Sequence, residues 1–196
     1  MKPLFVHIPK NAGTSVRTIL SNQYYYPQWM KSHHTQSQLE ARCRIHRYEP
    51  DFTFCIVRNP YDRLVSIYNY LKLRMVYHKK IFNLSHAFYG NFLKHSFETF
   101  VQSYLTEANT TEYLINNHHF LPQSSFLDSP NEIQIFKFEE LNKLENVLQC
   151  TLPHINHLGK NQPSNIDCMS LYTDETLRIV NEYYKLDFER FEYHVC

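Results

Sequence analysis

A chain of 196 residues with 43% hydrophobic side chains is long enough to bury one substantial core and too short for two ordinary domains, so one domain over 1–196 is expected. Lysine and arginine number 20 against 19 acidic residues, which excludes the global positive field that holds a nucleic acid or an anionic membrane surface; any anion must be bound by a local site. The five cysteines, at 43, 55, 150, 168 and 196, lack paired C-x-x-C spacing and are odd in number, which argues against a zinc site and against a disulfide framework.

Leu4 to Ile8 is a short apolar run closed by Pro9, with Asn11 and Gly13 following, and reads as a buried strand ending in a tight loop. Val16, Ile19 and Leu20 then recur at helical spacing. From Tyr24 to Tyr48 the chain is polar, rich in histidine and arginine, and has no assignable element; a loop this long in a small domain usually serves function. Phe52 to Val57 reads as a second strand, closed by Asn59-Pro60. Pro60 suits the first turn of a helix whose Leu64, Ile67, Tyr68 and Leu71 form one apolar face. Ser96 is the expected N-cap of a helix carrying Phe97, Phe100, Val101 and Tyr104 on one side. Ile133 to Phe138 reads as a third strand and Glu139 to Leu148 as the helix after it. Thr173-Asp174-Glu175 opens a last helix with Leu177, Val180 and Tyr184 turned inward. Strands alternating with helices predict an α/β fold, a P-loop-like parallel sheet covered by helices on both faces.

Two segments carry chemistry. The first, His7-Ile8-Pro9-Lys10-Asn11-Ala12-Gly13-Thr14-Ser15, lies between a strand and a helix N-terminus, where unpaired N–H groups and the dipole suit a phosphate or sulfate. Gly13 is expected to let the backbone approach the anion, with Lys10 adding charge and Thr14 and Ser15 hydroxyl donors. An ordinary turn with a solvated lysine would use the same residues. It is not a Walker A loop, because the lysine precedes the glycine and the first glycine of that motif is missing. The second segment runs from Cys55 to Ser66 through Arg58-Asn59-Pro60-Tyr61-Asp62-Arg63. Arg58 falls where a parallel strand ends, the edge at which open α/β sheets bind ligands, and its planar fork suits a phosphate dianion. Ser66 lies where it can donate a hydroxyl, and Arg63 is expected to pair structurally with Asp62 or a helix end.

Together these segments resemble the two nucleotide-binding signatures of the Golgi-type and bacterial carbohydrate sulfotransferases, relatives of the heparan sulfate 2-O- and chondroitin 4-O-sulfotransferases. The resemblance continues through His119-Phe120-Leu121-Pro122-Gln123-Ser124, Ile135 to Leu141 and Tyr184 to Tyr193, so it spans nearly the whole chain in order. It implies transfer of a sulfuryl group from 3′-phosphoadenosine 5′-phosphosulfate (PAPS) to an acceptor hydroxyl, with a carbohydrate the expected acceptor and no metal. It further implies that Lys10, Asn11, Gly13, Thr14 and Ser15 hold the 5′-phosphosulfate, and that Arg58 and Ser66 hold the 3′-phosphate. Lys160 is a candidate phosphate contact in a late loop, and Lys10 would stabilise the leaving group. The residues themselves agree in one respect: two separate anion sites suit PAPS, whereas a nucleoside triphosphate needs one cluster and a metal.

A base must accept the hydroxyl proton, which points to histidine or a carboxylate. His33-His34-Thr35 resembles a His-x-Thr motif of related sequences, making His33 the first choice and His34 the second. His118, His119 and Gln123 either line an acceptor site or shape a loop, and the structural reading is preferred. The pair His154 and His157 lacks a partner at metal-ligand spacing. Segments 21–48 and 74–95 are left to choose the acceptor, and the cations Arg42, Arg44, Arg47, Arg74, Lys79 and Lys80 read best as a solvated face. Two other functions compete: a P-loop-type kinase, for which a Walker B carboxylate is missing, and a PAP-binding module without activity.

No apolar run approaches the ~20 residues of a transmembrane helix, and Met1 leads into the first strand without a signal segment. A soluble, cytoplasmic protein is expected, or a Golgi-lumenal one if an anchor precedes this chain. The sequons at Asn83 and Asn109 matter only in the second case.

Overall fold

The computed structural model describes residues 1–77, 94–106, 118–153 and 167–196, with the side chains of 74–77 excepted. These residues divide into two compact units, Met1–Asn59 with Pro122–Ile155 and Pro60–Leu121 with Asn156–Cys196.

The first unit is built on a three-stranded parallel sheet in the order β1 (Pro3–Val6), β2 (Phe52–Val57), β3 (Gln134–Lys137). Val6 pairs with Cys55, and Val57 with Lys137. Phe54, Cys55, Ile56 and Val57 are all buried; because successive strand residues face opposite sides, both faces of the central strand are covered. Of β3 only Phe136 is buried, as befits an edge. The first strand is shorter than its apolar run. Ile8 N–H donates to the Val6 carbonyl at 3.1 Å, a three-residue turn that takes His7 out of the ladder while leaving Ile8 buried.

Helix α1 (Gly13–Gln23) follows the first strand. The polar segment that resisted assignment contains a 3-10 turn, Gln28–Met30, and a second helix, α2 (Gln36–His46). Its N-terminus is a capping box in which Thr35 accepts from Gln38 N–H while the Gln38 side chain accepts from Thr35 N–H. That signature was present in the sequence as Thr35-x-x-Gln38. The helix escaped notice because its buried face consists of Gln36, Leu39 and Cys43, one of them polar. Asp128 accepts from both the N–H and the hydroxyl of Ser37, anchoring the first turn of α2. Past β3 the backbone takes a 3-10 turn, Phe138–Glu140, before α5 (Leu141–Leu148), so that helix starts two residues later than predicted.

The second unit is helical: α3 (Pro60–Tyr77), α4 (Phe97–Tyr104), α6 (Asp174–Tyr183) and α7 (Lys185–Arg190). Ser96 caps α4 through Thr99 N–H, and Thr173 caps α6 through Thr176 N–H, as their positions predicted. The core is aromatic, with Phe100 in ring contact with Tyr68, Tyr104 and Phe120, and Tyr61 with Phe188. Arg63 is 1% exposed. It donates to the carbonyls of Leu121 and His119 at 3.0 Å each, main-chain contacts of the structural kind expected of it. None of the five cysteines is in a disulfide. Among the described residues no helix is long and apolar enough to cross a membrane.

Candidate active site

Because the strands are parallel and in register, the loops leaving β1, β2 and β3 emerge at one edge of the sheet. They carry Lys10, Arg58 and the Phe138–Glu140 turn. This is the edge at which open α/β sheets bind ligands.

The loop after β1 is held in an unusual backbone. Lys10 (φ 71°) and Ala12 (φ 56°) both occupy the left-handed region, which costs a non-glycine residue roughly 1–2 kcal/mol. Asn11 between them is 0% exposed, and its amide nitrogen donates to the Ile56 carbonyl and to Gln123 Oε1, each at 2.7 Å. That anchor sustains the strained turn on either side. Both side-chain N–H donors of Asn11 are thereby used inside the protein. Helix α1 then begins at Gly13 with no side-chain cap and no acidic residue in its first turn, leaving the positive end of the dipole uncompensated by side chains. Thr14 is half-buried and Ser15 buried beside it.

Gly13 has a packing reason to be glycine in addition to the one expected from the sequence. A Cβ placed there would lie 1.7 Å from His7 Nε2, so the glycine makes room for the His7 imidazole. His7 is buried, stacks on Phe5, and meets His33 with ring centroids 4.2 Å apart. His33 Nδ1 lies 2.9 Å from the His7 carbonyl oxygen. A carbonyl only accepts, so Nδ1 carries the proton and the lone pair of the neutral ring sits on Nε2. His34 is half-buried in the same segment, between the Gln28–Met30 turn and the Thr35 cap.

Arg58 is the first residue beyond β2, with its guanidinium over the Phe138 ring, 4.3 Å from the centroid. Its backbone is clamped by Gln123: the N–H donates to Gln123 Oε1 at 2.9 Å, and the carbonyl accepts from Gln123 Nε2 at 2.8 Å. Next to it, Asn59 N–H donates to the Glu139 carboxylate at 2.9 Å. Glu139, at the end of the third strand where a Walker B acid was sought, thus holds the chain entering α3. Among the described residues no group of three histidine, cysteine or acidic side chains is placed to hold a metal.

The structure therefore brings Lys10, Asn11, Gly13, Thr14, Ser15, Arg58 and His33 into the first unit together. Ser66 is half-buried on α3 of the second unit. Lys160 lies outside the described residues, as do Lys79, Lys80, His154, His157 and both sequons. Sequence reasoning missed His7 as a packing partner, although it stands in the motif. It weighed Gln123 as lining an acceptor site or shaping a loop and preferred the loop; no local pattern points to a contact made across the fold.

None of the curated proteins and none of the solved structures compared with the chain gives a significant match. A family model described as the sulfotransferase family does match, over residues 2–194. That span takes in the loop after β1, the arginine at the end of β2 and the helical C-terminus alike, and with it the chain belongs to the sulfotransferase family, which includes the heparan sulfate 2-O and chondroitin 4-O types.

Proposed function

We propose that this sulfotransferase takes its sulfuryl group from PAPS and delivers it to a hydroxyl of a carbohydrate, without a metal. The observation that carries this reading is the placement of two basic segments, the Lys10 loop and Arg58, at the ends of adjacent parallel strands, which gives a donor with two anionic groups two separate positions. In the first unit the helix α1 N–H groups and the Thr14 and Ser15 hydroxyls serve the 5′ end in this reading and Arg58 the 3′-phosphate, while Ser66 and Lys160 are assigned to it from the family resemblance alone.

PAPS supplies the activated sulfur–oxygen bond. The acceptor oxygen bonds to sulfur as the bond to the phosphate oxygen breaks, the products being a sulfate ester and PAP. Lys10 stabilises charge on the departing phosphate oxygen. His33 takes the hydroxyl proton at Nε2, the nitrogen that the Nδ1 contact with the His7 carbonyl leaves unprotonated; His34 is the second candidate. Burial of His7 against Gly13 and His33 keeps the base and the loop in one packed arrangement.

Thermal unfolding with PAP in metal-free buffer, or with ATP and Mg²⁺, tests the donor: PAP alone is expected to raise the Tm. A rise with ATP and Mg²⁺ only would replace this reading by the kinase. Labelled PAPS offered with glycans, small alcohols and tyrosine peptides tests the acceptor, with label expected on a glycan; label on the peptides would refute the carbohydrate. Binding of PAP without transfer to any acceptor would indicate a module without activity.

A further inference from the structure

We propose that Gln123 is a positioning residue that couples the two anion-binding segments, so that each is ordered by the other; this rests on the PAPS reading of the site. Gln123 stands outside both motifs, and its side chain touches each of them. It is 0% exposed. Its Oε1 accepts from Asn11 Nδ2 at 2.7 Å and from Arg58 N–H at 2.9 Å, while its Nε2 donates to the Arg58 carbonyl at 2.8 Å. The amide orientation is dictated by these partners, since turning it over would set N–H against N–H and oxygen against oxygen at Arg58.

The amide thus pairs with both backbone polar groups of one residue, as a neighbouring strand would, just where Arg58 leaves the end of β2. On its other side it completes the anchor of Asn11, whose second hydrogen bonds Ile56, a residue of the same strand. Asn11 separates the two left-handed residues Lys10 and Ala12, so releasing it releases the strained loop that carries Lys10. One buried amide therefore fixes the backbone of Arg58 and the backbone of the Lys10 loop at once. Losing it leaves the Arg58 N–H and carbonyl and one Asn11 hydrogen to be satisfied by other means.

The test uses the full chain, adenosine 3′-monophosphate and adenosine 5′-monophosphate as separate probes of the two segments, and amide hydrogen exchange without ligand. Gln123→Leu is expected to weaken both nucleotides by about 10-fold. It should also speed exchange at Arg58 and across Lys10 to Gly13 together. In Gln123→Glu the carboxylate still accepts from Asn11 and Arg58 but repels the Arg58 carbonyl; protonated, it donates there again. Its affinity relative to wild type should therefore rise as the pH falls, a rescue that loss of packing alone would not produce.

If Gln123→Leu weakens only the 3′-monophosphate, Gln123 supports Arg58 alone and the coupling is overturned. Should wild type and variant bind both nucleotides equally, the coupling is wrong while the PAPS reading stands. Where wild type binds neither, the PAPS reading falls, and exchange alone decides: faster exchange at both segments sustains the coupling, and faster exchange at Arg58 only refutes it. If Gln123→Leu does not fold, Gln123→Glu supplies the decision, and an affinity ratio independent of pH counts against the proposal.

Discussion

The two compact units bury polar groups in opposite ways. In the first, Asn11 and Gln123 are spent on holding loop backbone at the sheet edge, and the loop they hold is strained at Lys10 and Ala12. In the second, the buried polar groups serve the core itself, as when Tyr184 donates its hydroxyl to the Phe120 carbonyl inside an aromatic cluster. Desolvation pushes the Tyr184 and Tyr172 hydroxyls far above the usual phenol range, so they act there as neutral donors. The contrast teaches where function is carried. A polar network that fixes strained backbone prepares a site, whereas polar groups among rings satisfy a core.

The largest expected effect would break the first unit's chemistry without touching its fold. His33→Ala should lower turnover by ~10²–10⁴ and leave PAP affinity nearly unchanged, since a base acts on the acceptor. Wild-type turnover should fall in acid as the imidazole protonates, and that limb should be missing in the variant. His34→Ala serves as the control; normal turnover in both variants would place the base elsewhere, with His119 next.

The second unit predicts the reverse. Phe100→Ala removes a fully buried ring and should cost about 3–5 kcal/mol of stability, measured by denaturant unfolding, while Phe100→Leu should cost far less. PAP affinity of the folded variant should stay near wild type. A large loss of affinity at unchanged stability would erase the distinction between the units.

A third substitution sharpens the account of the glycine. Gly13→Ala should destabilise the chain by roughly 1–3 kcal/mol through collision with His7, and shrinking that side chain in His7→Ala/Gly13→Ala should recover much of the loss. If the glycine were needed only for approach to an anion, Gly13→Ala would leave the stability of the unliganded chain unchanged and weaken PAP binding alone.

The smallest effect concerns Asp128. Burial pushes its carboxyl up, but hydrogen bonds from the Ser37 N–H and hydroxyl and from Thr35 outweigh this and hold it below the usual carboxylate range. With the folded value depressed, the stabilisation is present above the unfolded pKa near 4 and is lost as the pH falls through the folded value. Asp128 is exposed, so Asp128→Ala should cost only ~0.5 kcal/mol at neutral pH. The difference from wild type should vanish in strong acid; a difference constant with pH would mean the charge has no part in it.

By itself the sequence determined the strands and both capped helices of the second unit, because each depends on residues within a few positions of one another. Phe52 to Val57 can be read as a buried strand from its own side chains, and Ser96 as a cap from the helix it precedes. Even α2 was legible in principle through its capping box. Tertiary structure decided why Gly13 must be glycine, which nitrogen of His33 carries the lone pair, and what Asn11 is for. Those answers lie in contacts between residues far apart in the chain: His33 meets the His7 carbonyl across 26 positions, Gln123 meets Arg58 across 65 and Asn11 across 112. Hydrogen bonds of this kind follow from where the sheet edge delivers each loop, and no periodicity or local propensity encodes that.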